Sequence, residues 1–107
     1  MRQSQVLDSE LYERQIKAEN VMDEIELRSE LSLDIQLLRR NAKYYLDATK
    51  FVNDPGIKPQ DRPYHEQEVR RAAENVRSVL RVLGAKGVSV GDMDYLPQLC
   101  ILLVGND

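Results

Sequence analysis

Residues 31–52 read LSLDIQLLRRNAKYYLDATKFV, and the first structural prediction comes from their spacing. Apolar and small residues recur there at alternating steps of four and three, at Leu31, Ile35, Leu38, Ala42, Tyr45, Thr49 and Val52. This heptad pattern is typical of an α-helix that packs one apolar stripe against another helix. We call this stripe the seam. Because apolar surface is unfavourable in water, the seam predicts a covering helix from the same chain or from a second copy.

The residues before the seam also favour a helix. Leu11, Ala18 and Ile25 recur every seven residues, and Asp8 or Ser9 would cap the first turn. We therefore expect residues 1–7 to be frayed and a helix to begin near residue 8.

The main ambiguity lies where this first segment meets the seam. No Gly or Pro occurs before residue 55, so the sequence favours one long helix, straight or kinked, over residues 8–53. Ser29, Ser32 and Asp34 are competent N-caps, so two helices joined by a tight turn near residues 29–34 are the alternative. An unbroken helix of this length would span roughly 65 Å and would need an intermolecular partner.

A Pro-rich loop and a second helix follow. Pro55, Gly56 and Pro59 place a connecting loop at residues 54–62, and Pro63 suits the first turn of a helix. The predicted helix covers residues 63–83, with Gly84 as its stop. Its apolar face consists of Val69, Ala72, Ala73, Val76, Val79, Leu80 and Leu83.

The last apolar run, LCILLV at residues 99–104, has no polar side. We expect a short helix over about residues 94–104, buried all round, with Pro97 in its first turn or two. A strand over residues 100–104 is the competitor, but the rest of the chain offers no strand to pair with it.

These elements predict an all-α protein, either a helical hairpin or a small helical bundle, in a single domain over residues 1–107. Apolar residues make up 42% and charged residues 31%, with five Gly and four Pro, which is typical of helical bundles. The first residues of the sequence are polar and do not match the apolar segment of a signal peptide. No run of apolar residues approaches the ~18 that a membrane span needs. The single cysteine, Cys100, excludes an intrachain disulfide. We expect a cytoplasmic protein.

Charge is divided unevenly along the chain. Residues 8–34 contain nine acidic side chains and three basic ones, whereas residues 35–86 contain eleven basic and six acidic ones. This division predicts an acidic N-terminal helix beside a basic helix, within one chain or across a dimer. The alternative is that two solvated faces simply differ in sign. The net charge of −3 indicates neither nucleic acid nor membrane as a partner.

No constellation of residues predicts a catalytic, cofactor-binding or metal site, so we expect neither an enzyme nor a cofactor. His65, the only histidine, lacks the neighbours of a phosphotransfer histidine and reads as a residue of a first helical turn. Cys100 lies in an apolar run, where a thiol is buried and unreactive. Acidic pairs such as Glu26 and Glu30 only loosely match the carboxylate pattern of a metal-dependent helical hydrolase, which is the weakest alternative.

The sequence therefore favours a non-enzymatic protein-interaction module, such as an adaptor, a small chaperone or an inhibitor of another protein. The seam is the predicted surface for the partner and for self-association, with a homodimer as the simplest assembly. A small nucleic-acid-binding regulator is the second hypothesis. Its anionic partner would meet a basic face made of Arg39, Arg40, Lys43, Arg70, Arg77 and Arg81. No small-molecule substrate and no membrane is indicated.

Overall fold

The computed structural model describes the backbone of residues 2–105 and the side chains of residues 9–105. Over this range the backbone forms four α-helices and no strand, which confirms the predicted all-α bundle. The helices are α1 (Arg2–Glu26), α2 (Ser32–Val52), α3 (Arg62–Ala85) and α4 (Leu96–Val104), with a 3₁₀ turn, Ser29–Leu31, between α1 and α2.

Helices α2 and α3 form an antiparallel hairpin, and α4 lies against both α2 and α1. The antiparallel register is marked at one end by Lys86 and Asp34, whose charged atoms are 2.7 Å apart. Further along the hairpin, Tyr44 of α2 meets Glu68 of α3, and at the other end the Arg62 guanidinium donates a hydrogen bond to the carbonyl of Val52. Within the N-terminal segment only α2 packs along α3, because α1 packs mainly on α4.

The preferred single helix over residues 8–53 is wrong, and the alternative of two helices is confirmed. The backbone leaves the helical conformation at Arg28, with φ −110° and ψ 73°. The Arg28 guanidinium donates a 2.8 Å hydrogen bond to the carbonyl of Lys86, beyond the end of α3. The turn brings Ile25 and Leu31 into one core, both at most 5% exposed. The break thus coincides with burial of a residue on each side of it, and no Gly or Pro lies there.

Arg28→Ala is expected to lower the free energy of unfolding by about 1 kcal/mol, because the Lys86 carbonyl loses its charged donor. Urea denaturation followed by circular dichroism measures the change. Arg70→Ala is the control, since Arg70 is exposed and bonds to no described side chain. Equal stabilities for the two variants would contradict a structural role for Arg28 in the turn.

Helix ends differ from the predicted ones by a few residues. α1 begins at Arg2, ahead of the predicted start at residue 8, and α3 continues past Gly84 to Ala85. The reversal after α3 falls at Gly87, whose φ of 102° suits a residue without a side chain. α4 begins at Leu96, so Pro97 lies in its first turn, where the absent N–H costs no hydrogen bond.

The core is built around α4 and the inner faces of the hairpin. Leu38 of α2, Leu80 of α3 and Leu99 of α4 are fully buried. The expectation that the last helix is buried all round is wrong, since Ile101 is 58% exposed. α4 packs mainly on α2 and α1, and Ile101 lies on a side that neither covers.

Candidate functional site

The seam is the inner face of α2. Leu31, Leu38 and Ala42 are buried, and the other four seam residues are partly buried: Ile35, Tyr45, Thr49 and Val52. The cover that the pattern requires is supplied by α3 and α4 of the same chain. A partner reaching the seam would have to displace one of these helices. A partner that leaves the fold intact would therefore dock on a surface other than the seam.

A second apolar stripe runs along a different side of α2 and is exposed. It consists of Leu33, Leu37, Tyr44 and Phe51, and we call it the outer stripe. Leu33 is 79% exposed and Phe51 is 60% exposed. Because their spacing of four, seven and seven residues matches the helical repeat, these side chains share one face. α2 thus has an apolar stripe on each side, one in the core and one in contact with solvent.

Aromatic side chains gather where the outer stripe meets the start of α3. The rings of Phe51 and His65 stack, with centroids 5.8 Å apart and an angle of 14° between their planes. Tyr64, also exposed, meets the edge of the His65 ring at 5.3 Å. We call Tyr44, Phe51, Tyr64 and His65 the aromatic cluster. It combines apolar area with polar groups, as protein interfaces often do.

A hydrogen bond fixes the remaining member of the aromatic cluster. The Tyr44 hydroxyl donates to Oε2 of Glu68 over 2.6 Å. This bond stabilises the carboxylate and lowers the pKa of Glu68, and the same bond raises the pKa of Tyr44. The Tyr44 ring is therefore held in one orientation although it is exposed to solvent.

The predicted basic residues on α2 border a shallow cleft of about 520 Å³. Arg39, Arg40 and Lys43 line it together with Leu103 and Val104 at the end of α4. Tyr44 also lines the cleft, so the cleft continues into the outer stripe. We call this feature the basic cleft. Asp47 lines it as well, so the basic cleft offers three cations and one carboxylate at the rim of an apolar surface.

The three α3 arginines of the predicted basic face do not line this cleft. Arg77 and Arg81 both lie close to Glu74, at 3.8 and 2.9 Å, and lower the pKa of its carboxyl. Arg70 is exposed. Since Lys43 also lies 3.9 Å from Asp47, three of the six residues are already paired with a carboxylate, and a nucleic-acid-binding face stays a prediction.

The residues considered for chemistry lie apart. Cys100 is fully buried, and burial raises the pKa of its thiol to about 12, so it is not an accessible nucleophile. Glu30, from the acidic pairs, forms an ion pair with Arg28. Across residues 9–105, no three His, Cys, Asp or Glu side chains are grouped so that they could hold a metal ion.

Sequence reasoning missed the outer stripe, although its signal is present. Leu37, Tyr44 and Phe51 recur every seven residues, as the seam does. Periodicity assigns residues to a face but does not say which face the rest of the chain covers. The seam is the longer stripe, and it is the one that the fold buries.

Comparisons with family models, with curated proteins and with solved structures find no match for this chain. Across the described residues, no helix combines the length and the apolar character needed to cross a membrane. The single-domain prediction for residues 1–107 stays a prediction.

Proposed function

We propose that the protein is a non-enzymatic protein-interaction module, acting as an adaptor, a small chaperone or an inhibitor of another protein. Its docking surface is the outer stripe together with the aromatic cluster. One observation carries the proposal: Tyr44, Phe51 and Tyr64 lie in solvent at the same end of the hairpin, two of them fixed by neighbours.

The distribution of aromatic side chains supports this surface. The chain has five Tyr, one Phe and no Trp, and only Tyr95 lies fully in the core. Large aromatic side chains contribute most to binding when a partner removes them from water, and they are enriched among the residues that dominate interface energies. A core as small as this one would gain from burying them, so their exposure favours a binding role.

The fixed orientations also favour binding. Tyr44 is held by Glu68 and Phe51 by the ring of His65, so little side-chain freedom is lost when a partner docks. Arg40 and Lys43 lie at the edge of the same surface, where charge would orient the partner.

Phe51→Ala is expected to weaken binding of the partner about 30-fold, as loss of a central aromatic anchor costs about 2 kcal/mol. The partner is first identified by placing a photo-crosslinking amino acid at position 51 and isolating its adducts from cells of the source organism. The dissociation constant is then measured by calorimetry with both proteins purified.

The matched control uses Val82, an apolar residue of α3 that is also exposed but lies outside the outer stripe and the aromatic cluster. A crosslinker at position 82 should not give the same adduct, and Val82→Ala should bind as the wild type does. Identical adducts from both positions, or equal affinities for Phe51→Ala and Val82→Ala, would contradict the proposed docking surface.

A further inference from the structure

We infer that the outer stripe and the basic cleft of one copy receive the outer face of α1 from a second copy, in a reciprocal two-fold dimer. This inference rests on the proposed function, since it names an occupant for the same docking surface. The argument depends on two faces of the chain that carry opposite charge and that do not meet within one copy.

The outer face of α1 carries exposed apolar residues. Tyr12 and Ile16 are exposed, at 68% and 37%. Their separation of four residues places them on one side of the helix, and the exposed Leu27 follows directly after its last residue, Glu26. The opposite side of α1 carries Ala18 and Ile25 into the core. α1 therefore resembles α2, with one stripe in the core and another in solvent.

Carboxylates surround the exposed stripe of α1. Four of them are themselves exposed: Glu13, Glu19, Asp23 and Glu26. In the part of the chain with described side chains, the one ion pair that involves α1 is Lys17 with Asp94, in which α1 supplies the cation. Glu13 interacts electrostatically with Lys17, whereas Glu19, Asp23 and Glu26 form no ion pair with a described lysine or arginine.

The basic cleft has the complementary character. Arg39 and Arg40 form no ion pair among the described residues, and Lys43 is only loosely paired with Asp47 at 3.9 Å. Tyr44 and the partly buried Val104 supply apolar surface beside these cations. An acidic helix with an apolar stripe would place its side chains on this surface and its carboxylates near the basic rim.

The two faces cannot meet in one copy, because α1 is held on α4 by its inner face and directs its outer face to solvent. A two-fold axis solves this problem, since each copy offers one acidic face and one basic face. A stable interface buries about 800 Å² per partner, so each face would need to contribute only about 400 Å². The accessible surface of the chain is 7422 Å², so such an interface would cover about a tenth of it.

The test uses two charge-reversed variants of the full chain. The first carries Glu19→Lys with Asp23→Lys on α1, and the second carries Arg40→Glu with Lys43→Glu on α2. Each variant alone brings like charges together at both contacts of the dimer. We expect the wild type to sediment as a dimer and the dissociation constant of each variant to rise about 100-fold or more.

An equimolar mixture of the two variants restores opposite charges at both contacts. We expect a dimer containing one copy of each variant, identified by native mass spectrometry. Circular dichroism establishes that each variant alone keeps its helical content. The control is Glu66→Lys with Arg70→Glu on α3, which changes exposed charges outside both faces and should leave the dimer intact.

A wild type that sediments as a monomer at about 100 μM overturns the inference, because the dissociation constant of the dimer would then lie above about 100 μM. Variants that still form dimers, or a mixture that stays monomeric, also overturn it. If the chain is monomeric but a crosslinker at position 51 captures a different protein, the dimer is wrong and the proposed function stands. If position 51 captures neither another protein nor a second copy, the proposed function fails as well.

Discussion

Leu38→Asp is expected to abolish most of the stability of the protein. Leu38 is fully buried in the middle of the seam, between α2 and the helices that cover it. The substitution removes the apolar contacts of the leucine and places an unpaired carboxylate in the core, at a combined cost of about 4 kcal/mol or more. Domains of this size are stable by only about 5–15 kcal/mol. Urea and thermal unfolding followed by circular dichroism measure the loss.

The adjacent residue provides the matched control. Leu37 belongs to the outer stripe and is 45% exposed, so the carboxylate of an aspartate at this position stays hydrated. Leu37→Asp is expected to change the free energy of unfolding by less than about 1 kcal/mol. If the two aspartate variants were equally stable, the assignment of the seam to the core would be refuted.

The elements that could be predicted from the sequence are those with strong local signals. The heptad spacing of the seam, Pro63 at the start of a helix and the stiff loop before it each depend on a few neighbouring residues. The short helix at residues 96–104 was predicted by eliminating a strand, because a single strand would have no partner to pair with. In these elements, the structure predicted from neighbouring residues is the structure observed.

The break between α1 and α2 could not be predicted in the same way. Its principal contact joins Arg28 to the carbonyl of Lys86, 58 positions along the chain. The N-caps that the sequence offered at Ser29 and Ser32 form no side-chain capping bond in the structure, as Arg28 and Leu31 occupy the cap positions. A tertiary contact of this kind has no signature in a local window.

The candidate site shows the same limit. The sequence identified α2 as the helix with the strongest apolar pattern, and the structure places the core on one of its sides and the outer stripe on the other. Which side becomes surface is decided by α3 and α4, since they cover Leu38 and leave Leu37 in water. The uneven division of charge was visible in the sequence. The sequence did not show that the acidic helix α1 packs on α4, which carries no charged residue.

Two buried acids should make the protein sensitive to alkali. Burial raises the pKa of the Cys100 thiol from 9.0 to about 12 and that of the Tyr95 hydroxyl from 10.0 to about 12. Between pH 9 and 12 the unfolded chain releases protons that the folded chain retains. Stability is therefore complete below pH 9 and declines as the pH rises, by up to about 1.4 kcal/mol per pH unit for each group.

Raising the pH from 8 to 11 is accordingly expected to lower the free energy of unfolding by about 4 kcal/mol, which urea titrations at each pH would measure. Cys100→Ala removes the group that titrates first in the unfolded chain, so the onset of the decline should move from near pH 9 to near pH 10. The comparison uses the change of the free energy of unfolding with pH. Absolute stabilities are not compared, because the smaller side chain also leaves a cavity. Should the variant and the wild type lose stability over the same pH range, Cys100 would not be buried, and the position of α4 in the core would be wrong.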